Sequence, residues 1–284
     1  MTPEAAEKLE AFFAVLSRSA RPLLLLDYDG TLAPFCVDRF QARPWAGVRE
    51  LLGGIQLQGR TGIAVISGRP AAEVAQLLDL APSPEIWGLH GAERLHADGR
   101  RELEQIPEEI QSSLDALRER LKRDSFGGLF EDKPNAVVMH WRGASPEQAA
   151  EIEARTLALF QPLADMGGLR LLEFEAGVEL RAGRDKGDAV RSILEEASGG
   201  RAVAVPAAFL GDDITDESAF RAVNALQSSH LTALVRAERR ETAADVWLRP
   251  PGELLGFLQR WLESLPRSRN RDLGHPDYEP NRTR

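Results

Sequence analysis

Leu23-Leu24-Leu25-Leu26-Asp27-Tyr28-Asp29-Gly30-Thr31-Leu32 is the stretch on which the reading of this chain turns. Four consecutive leucines show neither helical spacing nor the alternation of a half-exposed strand. They predict a short strand buried on both faces, as in a parallel sheet. The run ends in two carboxylates at i and i+2. Two such groups, buried and unpaired, would be costly, so they must meet water, a ligand or a cation that offsets their charge. Gly30 lets the backbone approach a group such as a phosphate closely. A bare D-x-D is common on solvated turns; directly after a buried strand it marks a candidate site.

Two further apolar runs end the same way. Ile63-Ala64-Val65-Ile66 stops at Ser67-Gly68-Arg69-Pro70, and residues 202–210 stop at Gly211-Asp212-Asp213. Helical patterns fall near residues 45–52 and from Pro70 to 78. The order of helix, strand, helix, strand, helix predicts an α/β fold with a Rossmann-like, doubly wound parallel sheet. Ligands bind such sheets outside the carboxyl ends of the strands, so the polar residues should converge on one edge. Taken alone, Ser67 reads equally as the N-cap of the helix after Pro70.

The middle of the chain differs. Residues 107–122 and 146–163 read as helices, residues 135–141 as a strand. Residues 169–174 and 178–181 read as two strands joined at Glu175-Ala176-Gly177. This is an α+β insert over residues 105–182, inside a core formed by 1–104 and 183–265. The stretch 266–284, rich in Arg, Pro, Asn and Asp, is expected to be disordered. Lys186, in Arg184-Asp185-Lys186-Gly187-Asp188, stands where the chain re-enters the core. A lone lysine is usually a solvated charge, but here a phosphate contact is open to it. Gly211-Asp212-Asp213-Ile214-Thr215-Asp216-Glu217 puts four carboxylates within six residues. They read either as an acidic helix start favoured by the dipole or as a cation site, for which Mg²⁺, a taker of oxygen ligands, is the natural occupant.

Composition bounds the rest. The 284 residues suggest roughly two domains at about 150 residues each. With 43% hydrophobic and 28% charged residues, whole-chain disorder is excluded. The net charge of 35 − 44 = −9 argues against a broad nucleic-acid footprint. No apolar stretch approaches the roughly 18 residues of a membrane span. The opening Thr2-Pro3-Glu4 reads as a capped helix start rather than a secretory signal. The single cysteine, Cys36, excludes an internal disulfide framework and reads as a small buried hydrophobe, in a reducing, cytoplasmic setting. The sequence leaves oligomeric state open, with a monomer compatible.

Asp27 and Asp29, Ser67, Lys186, and Asp212 with Asp216, in this order, resemble the four motifs of the haloacid dehalogenase superfamily of phosphotransferases, with the insert where that superfamily places its larger cap. A closer likeness is to the trehalose-6-phosphate phosphatases. It is carried by residues 24–34, by Ile66-Ser67-Gly68-Arg69, by Gly88-Leu89-His90-Gly91-Ala92-Glu93, by Glu131-Asp132-Lys133 with His140-Trp141-Arg142, and by residues 211–217 with Phe220. Two departures stand out. Trp141 replaces a usual tyrosine. Ala182 replaces a usual proline in Glu179-Leu180-Arg181-Ala182-Gly183, with the loop to Lys186 one residue short.

The resemblance implies an enzyme that hydrolyses trehalose 6-phosphate with Mg²⁺. Asp27 is then the nucleophile and Asp29 the acid and base. Ser67 and Lys186 hold phosphoryl oxygens. Asp27, the Asp29 carbonyl and Asp212 hold the metal, and Asp216, also a metal-site residue, orients the metal's waters or Lys186. Gly30, Thr31, Arg69, His90, Glu131, Lys133, His140, Arg142 and Glu179 line the substrate site. Taken singly, the charged residues of the insert also read as a solvated sheet face. The rival readings are a phosphatase for another sugar phosphate (a sucrose or mannosylglycerate precursor), a non-catalytic sugar-phosphate-binding homologue, and a phosphoacceptor signalling domain. The last is about half this length and lacks a cap.

Overall fold

The structure, a computed structural model, describes residues 2–36, 38–124, 129–174, 176–199, 205–226 and 229–265. The stretch 266–284, expected above to be disordered, lies outside the described residues.

β1 (Leu23–Leu26) has all four leucines buried, as its sequence demands. It sits inside an eight-stranded sheet with β2 (Gly62–Ile66), β3 (Glu85–Gly88), β4 (Glu93–Leu95), β5 (Arg101–Leu103), β10 (Ala207–Gly211), β11 (His230–Val235) and β12 (Val246–Leu248). The order is β12-β11-β10-β1-β2-β3-β4-β5. The strands from β12 to β3 pair parallel, and β4 and β5 close the edge antiparallel.

Alternate leucines of β1 serve opposite layers. Leu24 and Leu26 join the cluster built with α1 (Pro3–Leu16), α2 (Val48–Leu57), α3 (Ala71–Leu78) and α8 (Gly252–Ser264), including Phe12, Leu52 and Trp261. Leu23 and Leu25 join the cluster on the other face with α6 (Lys186–Ser198) and α7 (Glu217–Asn224), including Val190 and Phe220. Each fully buried leucine is worth about 1.5–3 kcal/mol, so β1 anchors both layers and fixes where its carboxyl end, Asp27, emerges.

The second sheet is antiparallel, in the order β6-β7-β9-β8: β6 (Phe130–Lys133), β7 (Ala136–His140), β9 (Gly177–Ala182) and β8 (Leu169–Phe174). One face packs on α4 (Glu108–Arg123) and α5 (Pro146–Asp165) through Val137, Met139, Val178, Leu180, Leu117 and Phe160. The register gives the other face its rows. Glu131 pairs with Val138, and Val138 with Glu179; Lys133 pairs with Ala136, and Ala136 with Arg181. Directly paired residues share a face, so Glu131, Lys133, Glu179 and Arg181 all stand on the side away from the helices.

Among the boundaries that move, three have a visible cause or bear on the site. The third core strand begins at Ala207, not residue 202; residues 202–204 lie outside the described residues, and Pro206 has no N–H to give the ladder. Instead its carbonyl accepts from Leu23 N at 2.9 Å. The second helix starts at Val48 rather than near residue 45, after Gly47 at φ +95°, because Trp45 N is committed to Leu32 O at 2.9 Å. Gly177 opens β9 rather than belonging to the turn before it. The first helix begins as read, with Thr2 Oγ accepting from Ala5 N at 3.2 Å. Among the described residues, no helix is long and apolar enough to cross a membrane.

Candidate active site

The parallel strands bring their polar ends to one edge. Asp27 follows β1, Ser67 follows β2, and Asp212 follows β10, and all three are buried. The loop after Asp27 folds on itself: Gly30 N donates to Ala33 O at 2.7 Å and Ala33 N to Tyr28 O at 3.0 Å. Thr31, fully buried, donates its hydroxyl to Asp27 Oδ2 at 3.3 Å.

Lys186 reaches this edge because Asp185 caps α6 in a reciprocal box with Asp188, which sets Lys186 in the first turn. Its Nζ donates to Asp27 Oδ1 and to Asp216 Oδ1, each at 2.6 Å. The second Asp216 oxygen accepts from the backbone N–H of Asp212 at 2.9 Å and of Asp213 at 3.0 Å. Asp216 therefore shapes the acidic loop and orients Lys186. Arg240, which the sequence did not single out, holds the same loop from outside, its Nη2 donating to Asp213 O at 2.6 Å.

Asp27, Asp212 and Asp216 each offer an oxygen within 4.8 Å of the others, and all three are buried. Three carboxylates face one ammonium, which leaves the cluster short of positive charge. Burial first, with neighbouring carboxylates adding to it, raises the Asp27 and Asp212 carboxyls above their ordinary range, although Lys186 opposes the shift. On Lys186 burial works the other way, but Asp216 and Asp27 outweigh it and keep the ammonium protonated. An all-oxygen set with excess negative charge fits a hard divalent cation. The family reported below implies one.

Asp29 does not pair with Asp27. Arg69 grips it with one edge of its guanidinium, Nε to Oδ2 and Nη2 to Oδ1, each at 2.6 Å. Ser67 is not the N-cap of α3, a place taken by Pro70; its Oγ accepts from Arg69 N at 3.2 Å. His90 sits at φ +58°, a left-handed backbone rare for such a residue. Two hydrogen bonds hold that turn against the Ser67–Arg69 loop: His90 N to Ser67 O at 2.8 Å and Leu89 N to Arg69 O at 2.9 Å.

The smaller sheet presents its polar face to this edge across a cleft of about 740 Å³. Asp27, Asp29, Ser67, Arg69, His90 and Asp212 line it from one side. Glu131, Lys133, His140, Arg142 and Glu179 line it from the other. The structure thus brings all five insert residues to the cleft. His140 contacts Glu131 at 3.3 Å, Lys133 Nζ lies 3.7 Å from Glu179, and Arg142 is exposed at the rim. Burial, then the charge of Arg181, presses the His90 imidazole down to about 3, so near pH 7 it meets Glu179 as a neutral partner at 3.5 Å. Burial works to raise the Glu179 carboxyl, but His90, Lys133 and Arg181 hold it below the usual range. Cys36 is half-buried at the cleft wall rather than fully buried.

Sequence reasoning missed Arg39 and Glu73. Glu73 was within reach, as an i,i+4 partner of Arg69. For Arg39, whose Nη1 donates to Glu131 across the cleft at 2.6 Å, the sequence holds no signal.

The sequence profile described as Trehalose-phosphatase matches residues 25–249. The trehalose-phosphate phosphatase of Mycobacterium marinum is 33% identical over 257 residues, covering 86% of this chain and 62% of that protein. This chain therefore spans less than two thirds of that relative. The C-terminal domain of the Candida albicans trehalose-6-phosphate phosphatase superposes with a TM-score of 0.75 at 21% identity, covering 90% of this chain and 96% of that one. A haloacid dehalogenase-like hydrolase from Bacillus subtilis superposes with a TM-score of 0.58 at 17% identity, covering 84% and 98%. At these identities the two structures speak for the fold, which is the haloacid dehalogenase-like α/β fold. Profile and sequence likeness together establish that the chain belongs to the trehalose-phosphatase family.

Proposed function

We propose that this chain is a Mg²⁺-dependent phosphatase that hydrolyses trehalose 6-phosphate to trehalose and phosphate. The observation that carries the reading is the meeting of Asp27, Lys186 and Asp212 at the sheet edge, facing the polar row Glu131, Lys133 and Glu179 across a cleft of small-molecule size. Residues 105–182 are assigned as the cap and 1–104 with 183–265 as the core. A cytoplasmic setting, no nucleic-acid partner and no membrane attachment belong to the same reading.

Asp27 attacks phosphorus and forms an aspartyl phosphate. The leaving sugar oxygen takes a proton from Asp29, which later removes one from the hydrolytic water. Lys186 and Ser67 hold phosphoryl oxygens, and Asp216 keeps Lys186 aimed. Asp27, Asp212 and the Asp29 carbonyl are the ligands assigned to Mg²⁺, which when bound neutralises the negative charge of the phosphoryl group and carboxylates. Glu131, Lys133, His140, Arg142, Glu179 and His90 offer charged and hydrogen-bonding groups suited to the hydroxyls of a disaccharide. The cap shields the reacting centre from bulk water while admitting the one water that hydrolyses the aspartyl phosphate.

The test is a turnover screen with Mg²⁺ over trehalose 6-phosphate, sucrose 6-phosphate, mannosylglycerate phosphate and glucose 6-phosphate. The expected result is the highest kcat/KM on trehalose 6-phosphate. Preference for another member moves the substrate assignment, and no phosphate release from any of them overturns the reading.

A further inference from the structure

Five charged side chains alternate in sign from the reacting edge to the smaller sheet. Asp29 is held by the Nε and Nη2 edge of Arg69. The remaining nitrogen, Arg69 Nη1, donates to Glu73 Oε1 and to the main-chain oxygen of Arg39, the latter at 2.6 Å. Glu73 is also gripped by Arg39, whose Nε donates to Oε1 at 3.2 Å and Nη2 to Oε2 at 2.8 Å. Arg39 Nη1 then donates to Glu131 Oε1 at 2.6 Å. Glu131 stands on β6, and the other four belong to segments of the larger sheet.

An isolated surface ion pair would carry no such weight. Here the middle of the chain is shielded, with Arg69 and Glu73 side chains 10% and 13% exposed. Both guanidinium groups use opposite edges at once, which fixes their planes, and a lysine cannot do the same.

We propose that Arg39 is a positioning residue, tying the docking of Glu131 to the orientation of Arg69, and through Arg69 to the placement of the Asp29 carboxylate. This rests on the reading of Asp29 as proton donor to the leaving oxygen. Arg39 touches no reacting atom. Its fork shares Glu73 with Arg69. Without that fork, Glu73 draws Arg69 alone, and the plane that seats Asp29 is no longer set from the other side.

The test uses the full chain with Mg²⁺ and two aryl phosphates that differ in leaving group, p-nitrophenyl phosphate and phenyl phosphate. On this mechanism, kcat/KM reports phosphoryl transfer to Asp27, where the need for the acid grows as the leaving oxygen becomes more basic. Arg39→Ala should lose roughly tenfold on phenyl phosphate, the scale of one charge-assisted hydrogen bond, and less than about twofold on p-nitrophenyl phosphate. Arg39→Lys should not restore the loss. Asp29→Asn should show the same trend, more steeply. The ratio between substrates on one variant cancels any loss of folded protein. Equal losses on both substrates, no loss, or full restoration by lysine overturns the proposal. If Asp29→Asn shows no dependence on leaving group while the unaltered chain turns over, the assignment of Asp29 has failed, and Arg39 has no acid to position. If the unaltered chain releases no phosphate from these compounds or from the sugar phosphates named above, the reading of the site falls and this proposal with it.

Discussion

Gly30 and Asp212 meet so closely that a Cβ on Gly30 would lie inside the Asp212 carboxylate. The two acidic strand ends, 182 residues apart in the chain (212 − 30), converge with no room for a methyl group between them. Gly30 also sits at φ +81°, a region that costs other residues about 1–2 kcal/mol. Gly30→Ala should therefore lose at least that much stability, with the Asp212 carboxylate forced aside. Its phosphatase activity should fall on the order of a hundredfold or more, because the displaced carboxylate belongs to the reacting edge. Urea unfolding and turnover on the same sample separate the two effects, and a variant with unchanged activity would show the contact to be dispensable.

The two aspartates that flank Tyr28 should separate in kinetics. Asp27→Asn should lose turnover on the order of 10⁵-fold or more, the scale of removing a covalent nucleophile. Asp29→Asn should still form the phosphoenzyme from a good leaving group, yet hydrolyse it slowly, so that phosphorylated protein accumulates. Mass spectrometry after a quench reads the added phosphoryl group. Substantial turnover by Asp27→Asn would sink the nucleophile assignment.

The short supply of positive charge around Asp27, Asp212 and Asp216 makes a prediction about metal. Chelation should stop turnover, and Mg²⁺ should restore it. Asp212→Ala should raise the Mg²⁺ concentration needed for half-maximal rate at least about tenfold, since one of few protein oxygens is lost. Titration of Mg²⁺ against initial rate measures this, and full activity in chelator contradicts it.

The strand ends are legible in the sequence because burial there is dictated by local composition: Leu23 to Leu26 have no polar face to expose. Convergence of Asp27, Ser67 and Asp212 then follows from parallel topology. The polar face of the insert is legible only as a cluster of motifs, because the row Glu131–Val138–Glu179 depends on register. Arg39 and Arg240 are opaque for another reason. Arg39 lies 34 residues from Glu73 and 92 from Glu131, and nothing in an ordinary arginine announces partners at such distances. His90 is a similar case. Its motif is visible, but its left-handed backbone is imposed by Ser67 and Arg69 from another loop.

Glu131 gives the link between the sheets a pH signature. The hydrogen bond from His140, against a burial effect that Lys133 and Arg39 help to outweigh, holds its carboxyl at about 2, below the ordinary 4.5. A depressed folded-state pKa means stability that is fully present above the unfolded value and lost as pH falls through the folded one. The stability difference between the unaltered chain and Glu131→Gln should thus be flat above about pH 5 and close between pH 4.5 and 2. Urea unfolding of both proteins across that range reads it, and the difference cancels the other carboxylates. A gap that persists below pH 2 would place the effect of the substitution elsewhere.

Selectivity for the sugar can be tested apart from the chemistry. On the proposed mechanism the residues at the sheet edge contact the phosphoryl group, so discrimination among sugars falls to the facing row. Lys133 stands on that row beside Glu179, and Arg142 stands exposed at the rim of the same cleft. The proposal has a disaccharide reach from the phosphoryl site to both, and a small aryl phosphate to neither. Alanine at either position should lower kcat/KM for trehalose 6-phosphate by the worth of a charge-assisted hydrogen bond, about 1.5–3 kcal/mol or roughly 10- to 150-fold. On p-nitrophenyl phosphate the same variants should change less than about twofold, the bound for residues that small substrate does not touch. The exposed Arg142 should sit at the low end, since solvent competes for its donors, and the more buried Lys133 at the high end. Equal losses on both substrates would make these side chains structural. No loss on either would remove the insert's charged face from the account of selectivity, leaving that role to the aromatic groups Trp141 and Phe174 on the same wall.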